Sequence, residues 1–554
     1  MILGIDVGGT HTDSVLMDNR KIIKKFKVLT DKSNILKSVL TATRAIAEPQ
    51  DIKKLQRIVL STTISTNAVV QDQLDDVALV VMNGPGVAPQ DLPLYEKTRH
   101  IAGYMNHRGM EAEPVNGAEL EEIKFMLDKK KVGHYAVIGK FSTRNSSHEM
   151  QVQKYLVKDG AKHVSMSHQL SGALNFPRRI ATTYLNEAVW ELHANLVAQL
   201  DAYVKELGVN IPLYILKADG GTIEYRQSQR QPVQTILSGP AATIMGVLPY
   251  VPLGKDSVSI DIGGTTTDIA LFADGVPLLE PLGVRIEEHK PAVRGLLTHS
   301  IGVGGDSHVR VVDGTLLLGP ERRGPAMAFD GPVPTPTDAA IMLGLADIGD
   351  KGKARQAMES LAAATKQTPE KTAQAVLDLA CKLISDKVAS MLGEINAKPV
   401  YTIHELLEGR KVNPTEMIVV GGPAPFMAQR LQEVVGIHAT VPGDSDVINA
   451  SGAAMARTTV ELNMVADTED GTLSIAEEGV VEKISPSFSE KDLIKRGTHL
   501  LSEKARAAGA REEDIVVEVA DIQSFNVVRG YATTGKNTRV RLQVKPGLIK
   551  QTLN

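Results

Sequence analysis

Two short segments of this 554-residue chain combine aspartate, glycine and threonine in the same order. The first, residues 6–13, reads Asp-Val-Gly-Gly-Thr-His-Thr-Asp, and the second, residues 261–268, reads Asp-Ile-Gly-Gly-Thr-Thr-Thr-Asp. A Gly-Gly turn lets the backbone approach a ligand closely and points amide hydrogens into the turn, while threonine hydroxyls add donors. An aspartate at the end of the preceding strand is suited to hold a hydrated Mg²⁺. Each segment therefore predicts a phosphate site with a metal beside it.

The two motifs belong to longer segments that are related by duplication. Residues 4–17 and 259–272 are identical at eight of fourteen positions, at a constant offset of 255 residues. One Gly-Gly turn alone is weak evidence, because such turns also occur in plain hairpins. Two copies, each opening a similar stretch of chain, favour two lobes that hold a triphosphate from both sides.

Two further glycine clusters are candidates for seating the other end of a nucleotide. Residues 300–307 contain Gly304-Gly305-Asp306, and residues 418–425 contain Gly421-Gly422 between a predicted strand and a predicted helix over 426–435. A strand, Gly-Gly, helix arrangement lets an adenosine lie against the backbone without a side-chain clash. The alternative is two ordinary tight loops. The sequence contains no Walker P-loop and no dinucleotide-binding fingerprint.

The elements around these turns alternate between strands and helices, which is typical of an α/β fold. Each motif sits between two apolar runs, so that each predicts a strand, turn, strand unit. Buried strands are predicted at 58–60 and 77–82, a long helix at 182–207 and a second helical block at about 354–396. In the second helical block, Thr368 is a predicted N-cap with Pro369 at the first helical position.

Composition and charge narrow the possible partners and compartments. Basic and acidic residues number 61 and 65, giving a net charge of −4 that offers no electrostatic footprint for nucleic acid or an anionic membrane. Cys381 is the single cysteine, so an intrachain disulfide framework is excluded. Eighteen apolar residues never occur together. We therefore expect a soluble cytoplasmic protein with neither nucleic acid nor a membrane as its partner.

The order of these features resembles the phosphate 1, connect 1, phosphate 2, adenosine and connect 2 motifs of the actin, sugar kinase and Hsp70 ATPase superfamily. Within it, the chain is similar to the hydantoinase/oxoprolinase A family. The matching segments are DVGGTHTD (family DVGGTFTD), STTISTN at 61–67 (GTTxxTN), ADGG at 218–221, SGPA at 238–241, DIGGTTTD (DxGGTSTD) and TDA at 337–339. Together they cover about residues 1–460.

The resemblance implies two duplicated ribonuclease-H-like lobes of the actin-like ATPase type around a nucleotide cleft. The expected domains are 1–181, then 182–469 with a helical insertion at about 340–400, and a small α+β domain at 470–554. The implied cofactors are ATP and Mg²⁺. Asp6 and Asp261 are the implied catalytic residues and Mg²⁺ ligands through water, and Asp261 has the alternative role of orienting the attacking group. The implied nucleotide contacts are Gly8, Gly9, Thr10, Thr12, Asp13, Gly263, Gly264, Thr265, Thr267, Asp268, Gly304, Gly305, Asp306, Gly421 and Gly422. For Asp13 and Asp268, closure of the hairpins is the alternative role.

The implied reaction is ATP-dependent hydrolytic opening of a cyclic amide such as hydantoin or 5-oxoproline, through a phosphorylated amide. In the family the A-type chain works with a separate or fused B-type chain, so a B-type partner subunit is expected. Three other functions share the same site: an ATP-driven activator or chaperone-like regulator of a partner enzyme, the ATP subunit of a ketone carboxylase, and a small-molecule kinase.

The chain departs from the family pattern at several positions. His11 replaces the usual Phe, Leu60 replaces a His, and Arg322-Arg323-Gly324-Pro325-Ala326-Met327 stands where the family has a DPGPACYG-like stretch. His11 could donate to a phosphate oxygen, although a histidine that fills the space of phenylalanine is the favoured interpretation. The Arg322-Arg323 pair could contact nucleotide or a substrate carboxylate, with a solvated loop as the favoured interpretation. The family resemblance therefore predicts the fold and the nucleotide site better than it predicts the substrate.

Overall fold

The computed structural model of the chain describes residues 1–9, 11–18, 20–31, 34–93, 95–128, 133–208, 211–280, 282–397 and 411–550. Two compact units are present. The first comprises Met1–Ala241, Glu280–Gly295 and Ala453–Asn554, and the second comprises Ala242–Leu279 and Leu296–Gly452. The sequence places the first boundary at residue 181, whereas this division keeps residues 182–241 with the first unit.

Near its N-terminus the first unit contains a larger sheet, a smaller sheet and a two-stranded sheet. Its strands in this region are β1 (Ile2–Val7), β2 (His11–Asp18), β3 (Lys21–Leu29), β4 (Arg57–Thr62), β5 (Val77–Met82), β6 (Thr98–His100), β7 (Tyr104–Met105), β8 (Glu111–Glu113), β9 (His134–Gly139), β10 (His163–Met166), β11 (Leu213–Leu216) and β12 (Thr222–Glu224). The larger sheet has the order β12-β11-β4-β1-β2-β3, the smaller has the order β10-β9-β5-β6, and β7 and β8 form the two-stranded sheet. Because β11 pairs with β4, the segment after residue 181 is part of the first sheet.

Helices cover the apolar faces of these sheets. They are α1 (Ile35–Ile46), α2 (Pro49–Ile52), α3 (Ile64–Val70), α4 (Gly117–Asp128), α5 (Ser147–Lys158), α6 (Ser167–Leu170), α7 (Phe176–Ala188), α8 (Trp190–Leu207) and α9 (Tyr225–Ser228). Tyr203 of α8 is fully buried, and its hydroxyl lies 2.8 Å from Thr43 Oγ1 of α1. Leu60 of β4 belongs to the same apolar core.

The prediction of one helix over residues 182–207 is wrong. The chain forms α7 and α8, which meet at Val189, where φ is −108° and ψ is 3°. The carbonyl of Ala188 accepts a hydrogen bond from Asp75 N–H at 3.0 Å. This tertiary contact lies at the break, and the apolar stripe that continues through both helices gives no sign of it.

The second unit repeats the sheet arrangement of the first. Its strands are β13 (Ser257–Ile262), β14 (Thr267–Ala273), β15 (Val276–Pro277), β16 (Thr298–Ile301), β17 (Val309–Val312), β18 (Thr315–Leu318), β19 (Glu416–Val420) and β20 (His438–Thr440). β13 pairs antiparallel with β14 and parallel with β19, as β1 pairs with β2 and β4. β16 pairs antiparallel with β14, as β3 pairs with β2. The duplication inferred from sequence is thus confirmed in the pairing of the strands.

The helices of this part of the chain include the predicted helical insertion. They are α10 (Ser238–Val247), α11 (Pro336–Met342), α12 (Lys351–Thr365), α13 (Pro369–Asn396), α14 (Ala424–Val435) and α15 (Ile448–Met455). The Thr368 side chain accepts from Lys371 N–H, and Pro369 occupies the first helical turn, as predicted. Cys381 of α13 is buried in the core of this unit.

The C-terminal region forms a sheet with its own core. Its elements are β21 (Glu461–Asp467), β22 (Thr472–Ile475), β23 (Val480–Lys483), β24 (Val517–Arg529), β25 (Ala532–Val544) and α16 (Glu490–Ala507). The strands are antiparallel in the order β23-β22-β21-β25-β24, and Leu493 and Leu501 of α16 are buried with Leu542 of β25. The α+β character is as expected, but β21 precedes the predicted boundary at residue 470.

Candidate functional site

The turn between β1 and β2 carries the first Asp-Gly-Gly motif. Gly8 N–H donates to the His11 carbonyl at 3.0 Å, and a Cβ on Gly8 would lie 3.0 Å from that oxygen, so the turn is tight. Asp6 is only 7% exposed, and it lies directly opposite Asp13 on β2. Thr10 lies outside the described residues. The hairpin therefore brings two carboxylates together below its glycine turn.

The third strand, β3, supports this hairpin with polar side chains. Lys27 Nζ lies 3.0 Å from Asp13, its neighbour across the strands. Thr12 is fully buried, with its hydroxyl 2.9 Å from Thr30 Oγ1, and Thr30 in turn donates to the Gly8 carbonyl at 2.9 Å. These contacts give Thr12 and Asp13 a role in holding the hairpin. Their predicted contact with nucleotide stays a prediction.

The turn between β13 and β14 is closed by the same kind of hydrogen bond as the first. Gly263 N–H donates to the Thr266 carbonyl at 2.9 Å, and Asp261 lies directly opposite Asp268. Thr267 is fully buried, and its hydroxyl donates to the Val303 carbonyl at 2.6 Å. Each copy of the motif is therefore a closed glycine turn above a pair of aspartates.

Asp261 is held by residues from two other helices. Thr243 Oγ1 of α10 lies 2.7 Å from Asp261 Oδ2 and 2.7 Å from Asn449 Oδ1 of α15. Burial raises the pKa of the Asp261 carboxyl, and the hydrogen bond from Thr243 opposes this increase. Thr243 and Asn449 were not among the predicted site residues; Thr243 lies in the small-residue helix that precedes the motif, and Asn449 lies in a second small-residue helix much later in the chain.

Asp268 differs from Asp13 in its neighbour on the third strand. Asp13 faces the ammonium group of Lys27, whereas Asp268 faces the hydroxyl of Ser300, which donates to it. Burial, and then the charge of Asp261, raise the pKa of Asp268 to about 6. The second hairpin therefore concentrates negative charge that a cation would relieve.

The glycine cluster at 304–306 packs directly on the second hairpin. Gly305 N–H donates to the Gly263 carbonyl at 2.9 Å, and Asp306 N–H donates to the Gly264 carbonyl at 2.7 Å. A Cβ on Gly304 would lie 2.6 Å from the Gly263 oxygen, so only glycine permits this approach. The contacts give the cluster a role in supporting the turn, and its predicted contact with nucleotide stays a prediction.

Arg322 lies beside the same turn. Its guanidinium donates to Asp306 Oδ2 at 2.8 Å and to Thr265 Oγ1 at 3.4 Å, and its side chain is 34% exposed. Burial raises the pKa of Asp306, while the charge of Arg322 opposes the increase. Arg323, by contrast, pairs with exposed Glu321. The solvated-loop interpretation therefore describes Arg323, whereas Arg322 places a cation next to a predicted phosphate ligand.

The Gly421-Gly422 turn follows β19 and reaches the end of β13. Gly421 has φ of +93°, and a Cβ there would lie 2.2 Å from the Ile262 carbonyl oxygen and 2.8 Å from Asp261 Oδ1. Among the residues that the structure describes, a Cβ on Gly422 would meet no atom within 4 Å. The predicted strand, Gly-Gly, helix arrangement is present, with backbone close to Asp261 and open space beside Gly422.

Two departures from the family pattern have different environments. His11 is exposed, and whether it fills the space of the family's phenylalanine stays a prediction. Leu60 is 1% exposed and pairs in register with Ile5 of β1. The exposed imidazole of His11 thus remains accessible to a ligand, whereas Leu60 is a core residue.

The residues of the second hairpin fit Mg²⁺ and a nucleotide. Mg²⁺ prefers oxygen ligands and keeps several waters, so it suits paired carboxylates such as Asp261 and Asp268. Gly421 permits a close approach of backbone to Asp261, and the space at Gly422 can admit a flat group. The first hairpin offers the same paired carboxylates, with Lys27 as an additional cation.

The repeated sheet with its closed glycine hairpin defines the chain as a protein of the actin-like ATPase fold. Residues 179–462 match the model of the hydantoinase/oxoprolinase family, and residues 2–160 match that of the hydantoinase/oxoprolinase N-terminal region. The chain belongs to this family.

Two relatives are similar to this chain over more than half of its length. The caprolactamase subunit alpha of Pseudomonas jessenii is 26% identical over 385 residues, which cover 62% of this chain and 55% of the relative. The 5-oxoprolinase of Saccharomyces cerevisiae is 22% identical over 589 residues, covering 89% of this chain and 44% of the relative. The chain thus spans about half the length of these two relatives.

The fold is shared with a solved structure of nucleotide-free acetone carboxylase, from a study of ATP-dependent acetone carboxylation. The TM-score is 0.74 at 17% sequence identity, covering 100% of this chain and 88% of the other. Within the part of the chain that the structure describes, every helix is too short or too polar to cross a membrane.

Proposed function

We propose that this chain is the ATP-binding subunit of an ATP-dependent hydrolase that opens a cyclic amide such as hydantoin or 5-oxoproline. The observation that carries the proposal is the duplicated hairpin, in which the glycine N–H closes the same turn above the same pair of aspartates. Membership of the hydantoinase/oxoprolinase family supports the type of substrate.

In this proposal the two hairpins hold the phosphates and the metal. Asp6 and Asp261 would bind Mg²⁺ through water, and the turns that begin at Gly8 and Gly263 would direct backbone amides to the phosphate oxygens. The Gly421-Gly422 turn would lie against the adenosine. When bound, ATP supplies the phosphoryl group that activates the amide, and Mg²⁺ offsets the charge of the triphosphate.

An amide carbonyl is a poor electrophile, which explains the requirement for ATP. Transfer of the γ-phosphoryl group to the amide oxygen would allow one water to add to the carbon. The ring C–N bond would then break to leave an acyl phosphate, which a second water would hydrolyse to the carboxylate and phosphate. One cyclic amide, one ATP and two waters would give the ring-opened acid, ADP and phosphate. Thr243 would keep the carboxylate of Asp261 oriented, because its hydroxyl contacts Oδ2 at 2.7 Å.

We further propose a partner subunit that binds the amide. The similar caprolactamase chain is named as a subunit, and this chain spans only 44% of the yeast 5-oxoprolinase. A B-type partner of the same family would supply the remaining part. A cytoplasmic location for the complex remains a prediction from the sequence.

A second candidate function is the ATP subunit of a ketone carboxylase. The specific observation that favours it is the TM-score of 0.74 with acetone carboxylase. The same hairpins would then activate a ketone or bicarbonate by phosphorylation, with the acceptor again bound by another subunit.

Measurement of ADP release distinguishes the hydrolase from the carboxylase function. The purified chain would be assayed alone and with its co-encoded partner, on hydantoin, 5-oxoproline and caprolactam, and on acetone with and without bicarbonate. Turnover with a cyclic amide and formation of the ring-opened product would support the hydrolase, whereas bicarbonate-dependent turnover with acetone would support the carboxylase. Amide-independent ATP turnover that only a partner protein stimulates would contradict both. Asp347→Asn, a change at an exposed carboxylate, is the matched control for Asp261→Asn.

A further inference from the structure

A histidine and two carboxylates meet at the end of the smaller sheet of the first unit where the central strands β5 and β9 begin. Asp75 precedes β5, His134 is the first residue of β9, and Glu191 is the second residue of α8. β5 and β9 are parallel neighbours, with Val77 in register with His134. The backbone N–H of Asp75 bonds to Ala188 at the break between α7 and α8, which brings all three elements together.

The three side chains offer converging ligand atoms. One nitrogen of His134 and one carboxylate oxygen each from Asp75 and Glu191 all lie within 4.8 Å of one another. His134 Nε2 is 3.1 Å from Glu191 Oε2. Asp75 Oδ2 is buried and has no hydrogen-bond partner among the residues that the structure describes, although the backbone of Glu191 also interacts with this carboxyl group. An unsatisfied buried oxygen of this kind indicates a missing positive ligand or donor.

A buried carboxylate fixes the orientation of the histidine. His134 Nδ1 lies 2.9 Å from Glu187 Oε1, and Glu187 is completely buried. The other oxygen of Glu187 lies 2.7 Å from His163 Nδ1 and accepts from Ser165 Oγ at 2.7 Å. With Nδ1 directed at Glu187, His134 turns Nε2 towards Asp75 and Glu191. Metal-binding histidines are commonly held in this way, with the second nitrogen donating to a carboxylate.

We propose that Asp75, His134 and Glu191 bind a divalent transition-metal ion of the Zn²⁺ or Mn²⁺ type, with water completing its coordination. One imidazole nitrogen and two carboxylate oxygens form a mixed donor set that suits such ions better than the all-oxygen set preferred by Mg²⁺. The metal would connect the entry to β5, the start of β9 and the start of α8. Its role is to hold these elements, and the site shares no residue with either hairpin.

The side chain of Lys162 places a cation beside the proposed metal site. Lys162 Nζ lies 3.7 Å from Glu191 Oε2, and the Lys162 side chain is 65% exposed. Because that ammonium group is largely in water, it can turn away at little cost when a metal binds. The Asp75 oxygen and His134 Nε2 do not depend on it.

The single tryptophan of the chain reports directly on this cluster. Trp190 stacks on His163 with ring centroids 4.0 Å apart, and its ring lies 6.2 Å from that of His134. Chelator-treated full-length chain would be titrated with Zn²⁺, Co²⁺ and Mg²⁺ by calorimetry, while Trp190 fluorescence is followed. We expect one equivalent of Zn²⁺ to bind, Co²⁺ to quench the fluorescence, and Mg²⁺ to leave it unchanged.

Substitutions distinguish the residues that would bind the metal from residues that only surround the site. Asp75→Asn and His134→Gln are expected to weaken Zn²⁺ binding by about 100-fold or more, and Glu187→Gln by about 10- to 100-fold through loss of orientation. His148→Gln is the matched control, because His148 also contacts a carboxylate, Glu111 at 2.9 Å, and should keep wild-type affinity. Circular dichroism checks that each variant folds. If His134→Gln does not fold, the Zn²⁺ affinity of Asp75→Asn alone tests the proposal.

Two results would overturn the proposal. Wild-type chain that binds neither Zn²⁺ nor Co²⁺ nor Mn²⁺ at concentrations up to about 1 mM would show that the cluster is a hydrogen-bonded network only. Unchanged affinity and stoichiometry in folded Asp75→Asn would place the bound metal elsewhere.

Discussion

Asp261 and Asp268 lie directly opposite each other on β13 and β14, and the third-strand neighbour of Asp268 is the neutral Ser300. In the first hairpin the equivalent carboxylate, Asp13, faces Lys27. The duplicated turns therefore differ in charge although their backbones close in the same way. The second hairpin has the greater need for a bound cation.

Asp261→Asn is expected to reduce Mg²⁺-dependent ATP turnover by about 100-fold or more, since a metal contributes several kcal/mol of charge stabilisation. Asp6→Asn should have a smaller effect, because Lys27 already supplies a cation to the first hairpin. Turnover measured over a range of Mg²⁺ concentrations, with Asp347→Asn as control, tests the difference. Equal losses in the two variants would contradict the assigned asymmetry.

Stability should depend on pH through Asp268. Its pKa of about 6 in the folded chain exceeds the ordinary value of 3.8, because of burial and the charge of Asp261, so the folded state holds the proton more tightly. The resulting stabilisation is present below about pH 4 and is lost as the pH rises through about 6. Asp268→Asn is therefore expected to raise the free energy of unfolding at pH 7 by about 1–2 kcal/mol, after allowance for solvent screening.

Denaturant unfolding at pH 4, 6 and 8 with chelator present would measure this effect. Asp13→Asn is the matched control, and it should not stabilise the chain, because it removes the partner of Lys27. A flat profile for the wild-type chain between pH 4 and 6 that Asp268→Asn leaves unaltered would refute the prediction.

The two glycines of the turn after β19 should respond differently to alanine. Gly421→Ala introduces a side chain at φ +93° and 2.2 Å from the Ile262 carbonyl, so a loss of about 1–3 kcal/mol in stability is expected. Gly422→Ala enters open space and should leave the melting temperature near that of the wild type while weakening ATP binding. Thermal unfolding without nucleotide and calorimetric ATP titration distinguish the two. Similar destabilisation by both variants would argue against an open pocket at Gly422.

The neighbouring arginines provide an internal comparison. Arg322→Ala is expected to lower kcat/KM for ATP by about 10-fold or more, because it removes a charge-assisted contact beside the second turn. Arg323→Ala should be nearly neutral, since its pair with Glu321 is exposed. Arg322→Lys should restore activity only in part, because an ammonium group cannot reproduce the forked contact to Asp306 and Thr265. Steady-state kinetics of the three variants test this, and equal effects at 322 and 323 would remove the special role of Arg322.

Much of this architecture follows from local sequence. The hairpins could be predicted because a strand, glycine turn, strand unit is completed within about fifteen residues, and α13 because Thr368 and Pro369 mark its start. The break between the helices at Val189 could not be predicted, because it coincides with a hydrogen bond between Asp75 and Ala188, which are far apart in the chain.

By itself the sequence determined that the chain carries two related Asp-Gly-Gly turns, because identical residues at a fixed offset need no knowledge of packing. Only the tertiary structure decided what faces each carboxylate. The neighbour of the second aspartate in each hairpin depends on which strands pair, and it is Lys27 in one and Ser300 in the other. Which helices and strands become neighbours also decides the contact of Thr243 with Asp261 and the cluster of Asp75, His134 and Glu191. Such contacts join residues that are distant in sequence, so no local pattern records them.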